Sequence, residues 1–268
     1  MTVRIRRTPA ALALAVLAAA LLALPQASWA VAFPNPALDS PLAQSASQRD
    51  AEARLNKSQY SGVRIAVNDG IATLTGSVKL YEYKSDAEKR VLHAKGVQAV
   101  RNLIQVAGPN IPDNQLRDKL VEEITYDRVG YGNAFNAISV AVHDGVVTLG
   151  GHARTYPDRD SAIALVSTTP GVKDVISDTQ VDPVSLMDDQ IRMQIAHAIY
   201  GYPVLQKYAI DPAKPIRISV QNGHVSLYGV VDSQADKNLA FIRANGVPGV
   251  FGVKNYLQVA NQPTEAPK

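Results

Sequence analysis

One stretch recurs three times and restricts the fold more than anything else in the chain. Its copies span residues 63–76, 138–151 and 216–229, each an alternating apolar run, a two-residue break, then a second alternating run. The breaks are Asp69-Gly70, Asp144-Gly145 and Asn222-Gly223. Such pairs between alternating runs predict β-hairpins with type I′ turns, because both turn residues must adopt positive φ. In the first copy the alternation buries Val63, Ile65 and Val67 on one face and leaves Arg64 and Ala66 on the other.

The echo extends past the hairpin. Gly70 and Gly145 are 75 residues apart, and Gly145 and Gly223 are 78 apart. A second glycine follows each at +6 (Gly76, Gly151, Gly229) and a third at +26 (Gly96, Gly171, Gly249). The third opens a Gly-Val-x-x-Val phrase in every copy, and a Gln-Val pair comes nine residues later at Gln105, Gln180 and Gln258. Matches at so many fixed offsets mean a tandem array of three homologous modules.

Around each hairpin the residues read as helices. A polar helix is expected from about Ala43 to Asn56. Its counterparts are marked by Leu116, Leu120 and Ile124 after Asp113, a possible N-cap, and by Ile191, Ile195 and Ile199 after Asp188-Asp189. A second helix follows the hairpin, with Ala87, Ala162 and Ala240 at one offset and Val91, Val166 and Ala244 four residues on. Ser85-Asp86-Ala87-Glu88 has a capping-box pattern and Ser233-Gln234-Ala235-Asp236 a looser one. The Gly-Val-x-x-Val phrase then leads into a third strand. The expected class is α+β: three α-β-β-α-β modules, each a three-stranded sheet with two helices on one face. Their bounds are 45–107, 113–182 and 186–260, followed by a disordered tail at 261–268. Proline in the short linkers at 108–112 and 182–183 favours preferred module orientations.

The N-terminus has a different character. Arg4, Arg6 and Arg7 precede an uncharged run from Ala10 to Leu24, then Pro25 and the small-residue patterns Ser28-Trp29-Ala30 and Ala30-Val31-Ala32. This is the layout of a cleaved secretory signal peptide over residues 1–30, with an extended, proline-containing leader at 31–44. The full chain has 27 basic and 24 acidic residues. Removing the signal removes three arginines and no acid, so the mature chain is balanced and a nucleic-acid role loses its support. Residues 113–182 carry six basic and eleven acidic groups, while their neighbours are mildly basic. With no cysteine, the modules depend on apolar cores, and anchoring through a lipidated N-terminal cysteine is excluded. The expected location is the periplasm.

The module order, the Val-x-[Asp/Asn]-Gly-x-x-[Thr/Ser]-Leu-x-Gly hairpin and the Gly-Val-x-x-Val phrase together resemble the BON domain, named for bacterial osmotic-stress and nodulation proteins. The resemblance covers residues 45–259. It implies an envelope-associated module without catalytic chemistry, which contacts phospholipids and supports the envelope under osmotic stress. A chaperone-like or protein-binding module without lipid contact is the alternative.

Reactive chemistry is not advertised. The five histidines (His93, His143, His152, His197, His224) include no His-x-x-x-His pair, and no cysteine completes a zinc set. No Gly-x-Ser-x-Gly elbow, Ser-x-x-Lys pair or Walker loop occurs. The expectation is a non-enzyme with no cofactor, metal or nucleic-acid partner, meeting a phospholipid surface or envelope proteins. Eleven tyrosines against four phenylalanines suggest binding surfaces, since a tyrosine ring is apolar and its hydroxyl tolerates water. The candidate lipid or partner residues are Lys79, Tyr81, Tyr83 and Lys84 in module 1 and Tyr200, Tyr202, Lys207 and Tyr208 in module 3. The ordinary reading of such rings is that they cover their own core or fill contacts between modules.

Overall fold

The structure is a computed structural model that describes residues 41–127, 131–211 and 214–260. The expected signal peptide, the expected leader up to residue 40 and the expected tail at 261–268 lie outside the described residues. Module 1 comprises α1 (Pro41–Arg54), β1 (Val63–Asn68), β2 (Ile71–Val78), α2 (Tyr81–Leu92), β3 (Ala99–Asn102) and β4 (Gln105–Val106). Module 2 comprises α3 (Asp113–Asp127), a short α4 (Tyr131–Ala134), β5 (Ala137–His143), β6 (Val146–Ala153), α5 (Tyr156–Thr168), β7 (Asp174–Ser177) and β8 (Gln180–Val181). Module 3 comprises α6 (Leu186–Tyr200), a short α7 (Lys207–Ile210), β9 (Arg217–Gln221), β10 (His224–Tyr228), β11 (Val230–Val231), α8 (Gln234–Asn245), β12 (Gly252–Asn255) and β13 (Gln258–Val259).

The hairpins have the turns their sequences demand. Asp69, Asp144 and Asn222 sit at φ 49°, 52° and 51°, each followed by a glycine at 73° to 77°. In module 1, β1 pairs antiparallel with β2 from Val63↔Gly76 to Asn68↔Ile71, and the two later modules repeat this pairing. The third strand lies parallel to the second, on its other side. A parallel return needs a crossover longer than a hairpin, and the post-hairpin helix supplies it.

Each third strand is interrupted two residues before its Gln-Val pair. In modules 1 and 3 an asparagine holds the break. Asn102 Nδ2 donates to the Lys84 carbonyl while its Oδ1 accepts from the Ile104 amide, and Asn255 does the same with Lys237 and Leu257.

Two capping expectations need correction. Ser85-Asp86 does not start a helix: α2 begins at Tyr81, its N-cap Leu80 makes no side-chain cap, and Asp86 bonds Tyr60 and Arg90 from mid-helix. Ser233 does cap α8, accepting from the Asp236 amide. Asp113 is the first residue of α3, but its carboxylate turns to the hairpin and accepts from the amides of Asp144 (2.7 Å) and Gly145 (3.0 Å). Asp188 holds Asn222 and Gly223 in the same way at 2.9 and 2.8 Å. These carboxylates tie the first helix to the turn.

Three apolar cores result. Ala51, Leu74, Ala87 and Val91 centre module 1, and Leu116, Leu120, Leu149 and Val166 centre module 2. The core of module 3 contains Ile195, Ile199, Leu227 and Ala240, and it also takes in Ala134 and Phe135 from module 2. All three modules fall within one compact unit.

Candidate functional site

The tyrosine and lysine positions singled out from the sequence do not gather into one surface. In module 1, Lys79 is exposed. Tyr81 packs against the core of module 2, and Lys84 Nζ lies 3.8 Å from Asp174 Oδ2 across the same contact. Burial pushes the Tyr81 phenol up, and the nearby Asp174 adds to it. Tyr83 turns back to its own core, edge-on to Tyr60 at 6.4 Å.

Module 3 uses its set on itself. Tyr208 is buried, donates to Asp236 (2.6 Å) and accepts from the Asp232 amide (2.7 Å). Lys207 Nζ sits 2.8 Å from Asp232 and 2.9 Å from Asp236, and those two carboxylates raise its pKa. Tyr200 donates to the Ile216 carbonyl at 2.6 Å, and the Arg243 guanidinium lies 5.1 Å from the Tyr202 ring centre. These rings and bases are engaged by the fold. The remaining candidates for contact lie elsewhere.

A buried polar joint connects modules 2 and 3. Asp182, read from sequence as part of a linker, is only 3 % exposed, and Arg192 of α6 is 2 % exposed. Arg192 Nη2 bonds Asp182 Oδ2 (3.1 Å) and the Val220 carbonyl (3.0 Å), and Nη1 bonds Asp189. Asp182 also accepts from Gln221 (2.8 Å) and Ser219 (3.2 Å) and lies 3.4 Å from His152 Nδ1. Burial pushes the Asp182 carboxyl up. The hydrogen bonds from His152 and Gln221 and the Arg192 charge outweigh burial and hold it below the usual carboxylate range. Comparing the repeats could have flagged this residue, because Ala107 and Ala260 occupy its position in the other modules.

Beside the joint, the helix-free face of the module 3 sheet forms a groove of about 660 Å³, lined by His152, Gln221, His224, Tyr228, Lys254 and Tyr256 among others. Tyr228 stacks between Tyr256 (5.2 Å) and His152 (6.1 Å). One cluster has the makings of a metal site. Ligand atoms of Asp113, His143 and Asp144 lie within 4.8 Å of one another. Both Asp113 oxygens already accept turn amides, so the cluster reads as hairpin chemistry.

Module 3 exposes several large apolar side chains, four of them in the segment that opens α6 and beside the hairpin turn. Val184, Leu186 and Met187 are 95 %, 83 % and 66 % exposed, and Phe251 is 77 % exposed. The next residue along, Asp188, grips the Asn222-Gly223 turn. Phe251 covers that turn from the other strand, its amide donating to the Gly223 carbonyl at 2.9 Å. The same position holds Gln98 in module 1 and Lys173 in module 2, so only this hairpin tip is capped by an aromatic ring.

Among the described residues no helix is long and apolar enough to cross a membrane. No curated protein matches the chain. Among solved structures, two chains of CdsD, a structural protein of the type III secretion system of Chlamydia trachomatis, are 16 % identical to it. One alignment covers 79 % of this chain and 90 % of that one with a TM-score of 0.24. The other, to the C-terminal domain, covers 79 % and 96 % with a TM-score of 0.21. The BON domain model matches residues 45–108, 112–183 and 188–261, each match containing one hairpin, its flanking helices and the parallel third strand. The chain therefore belongs to the BON domain family of envelope-associated, non-catalytic binding modules, and carries three of them in tandem.

Proposed function

We propose that this is a non-enzymatic periplasmic protein that contacts the phospholipid surface of the envelope through the apolar tip of module 3. The observation that supports this reading is the exposure of Val184, Leu186 and Met187, in the segment leading to the turn-gripping Asp188, and of Phe251 over the same turn. Fully burying a side chain of this size contributes about 1.5–3 kcal/mol, so partial insertion of four gives measurable, reversible adsorption. The two acids that follow the apolar segment are both engaged by the fold, Asp188 by the turn amides and Asp189 by Arg192 and Arg154. The signal layout of residues 1–30 supports export, and family membership supports a role in envelope integrity under osmotic stress.

Vesicle flotation tests the contact, using neutral and anionic lipids at two salt concentrations. Binding to both lipids with weak salt dependence is expected, and Leu186→Asp with Phe251→Asp should abolish it. No binding at low salt to either vesicle, with aggregation of a refolding client suppressed instead, would replace lipid by a polypeptide partner.

A further inference from the structure

The repeat shows what module 3 has added to its sheet. Strand alternation sends Val220, Val225, Leu227 and Val253 into the core, so Gln221, Ser226, Tyr228 and Lys254 stand on the helix-free face. Counted from the turn glycine, tyrosines occupy positions +5 and +33, as Tyr228 and Tyr256. Module 1 has Thr75 and Leu103 there, and module 2 has Gly150 and Asp178. The aromatic pair belongs to module 3 and not to the repeat.

These residues shape the groove of about 660 Å³. The stack of Tyr256, Tyr228 and His152 closes one end. His224 stands four residues along β10, about 13 Å from Tyr228 at the rise of a strand. Between them the floor is low, because Ser219 and Ser226 pair across β9 and β10 and Gly252 lies opposite His224. The valines that border the groove, Val225 and Val253, turn their side chains into the core. An acyl chain therefore finds no aliphatic surface to pack on. The two sides of the groove differ in polarity. On the β9 side Gln221 Nε2 donates to Asp182, which leaves Gln221 Oε1 as an acceptor. On the β12 side Lys254 is exposed and pairs with no acid among the described residues. No aspartate or glutamate lines the groove. A complementary ligand carries hydroxyl donors toward β9, a negative group toward β12 and a ring whose apolar C–H edge meets the tyrosines. A sugar acid combines all three.

We propose that the helix-free groove of module 3 binds an acidic saccharide, with its carboxylate at Lys254 and a sugar ring against the tyrosine stack. This site is separate from the apolar tip and does not depend on membrane contact. Calorimetric titration of the full chain with a galacturonic acid oligosaccharide, its neutral methyl ester and inorganic phosphate tests it. The acidic oligosaccharide should bind, shifting amide resonances of β10 and β12, and the ester and phosphate should each bind at least tenfold more weakly. Lys254→Gln should weaken the acidic ligand about tenfold, the loss of one charge-assisted hydrogen bond, and leave the ester unchanged. Tyr256→Leu, which installs the residue of module 1 at this position, should weaken both sugars. Both side chains are exposed, so the circular dichroism melt should not move. No binding of the acidic oligosaccharide would overturn the proposal, as would binding indifferent to both substitutions. An ester that binds as tightly would remove the carboxylate contact, and phosphate binding as tightly would reduce the groove to a bare anion site; either result also overturns it.

Discussion

Replacing Arg192 by methionine should destabilise the joint between modules 2 and 3 far more than a surface ion pair would. The substitution keeps an apolar stem near Phe135, which the guanidinium overlies at 5.9 Å, and removes the charge and its hydrogen bonds. It leaves Asp182 buried without the one fully buried cationic partner it has among the described residues. Removing one member of a buried pair costs about 3–5 kcal/mol. Asp182 retains Gln221, Ser219 and His152, which places the expected cost near the lower end, about 3 kcal/mol. The double variant Arg192→Met with Asp182→Asn removes the stranded charge, and its cost should fall to about 1 kcal/mol. Three modules need not unfold as one transition, so native-state hydrogen exchange read on β5 and β9 is the appropriate assay. A single-variant cost below about 1 kcal/mol, or one no larger than that of the double, would refute the reasoning. The pH dependence has a defined sign. Asp182 has a lowered folded-state pKa, so its contribution is complete above the ordinary value of 3.8 and is lost as pH falls through the folded value. Protection at the joint should decline in acid below about pH 4, and Asp182→Asn should flatten that decline.

Two further outcomes follow from the hairpins. Asp188→Ala leaves the amides of Asn222 and Gly223 without their acceptor in a buried setting and should cost about 1–3 kcal/mol; Asp113→Ala should cost less because water can replace its more exposed carboxylate, a ranking that denaturant titration of the two variants checks. Gly229→Ala must hold an L-residue at φ 129° with its new Cβ 2.6 Å from the Pro215 carbonyl oxygen, and a loss of about 1–3 kcal/mol in the same titration is expected.

The repeat was legible because its signals are local. An Asp-Gly pair between alternating runs specifies a turn through the φ values of two residues, and three copies at fixed spacing confirm one another. Helix starts were less legible. Ser85-Asp86 has the composition of a cap, yet α2 runs through it, because packing of Tyr81 and Tyr83 extends the helix by a turn at its N-terminus. Tyr208 illustrates the limit for sites. Its composition and loop position suit a binding surface, but an aspartate 28 residues away decides that its hydroxyl points inward.

Alternation, turn chemistry and periodic spacing act within a few residues, so the sequence alone determined that there are three modules, what each is made of and which family they join. Tertiary structure decided how much of each surface survives. The burial of Asp182, the inward turn of the tyrosines and the exposed tip at Phe251 all depend on contacts between residues distant in the chain. Copies with nearly the same local sequence differ there because their neighbours differ.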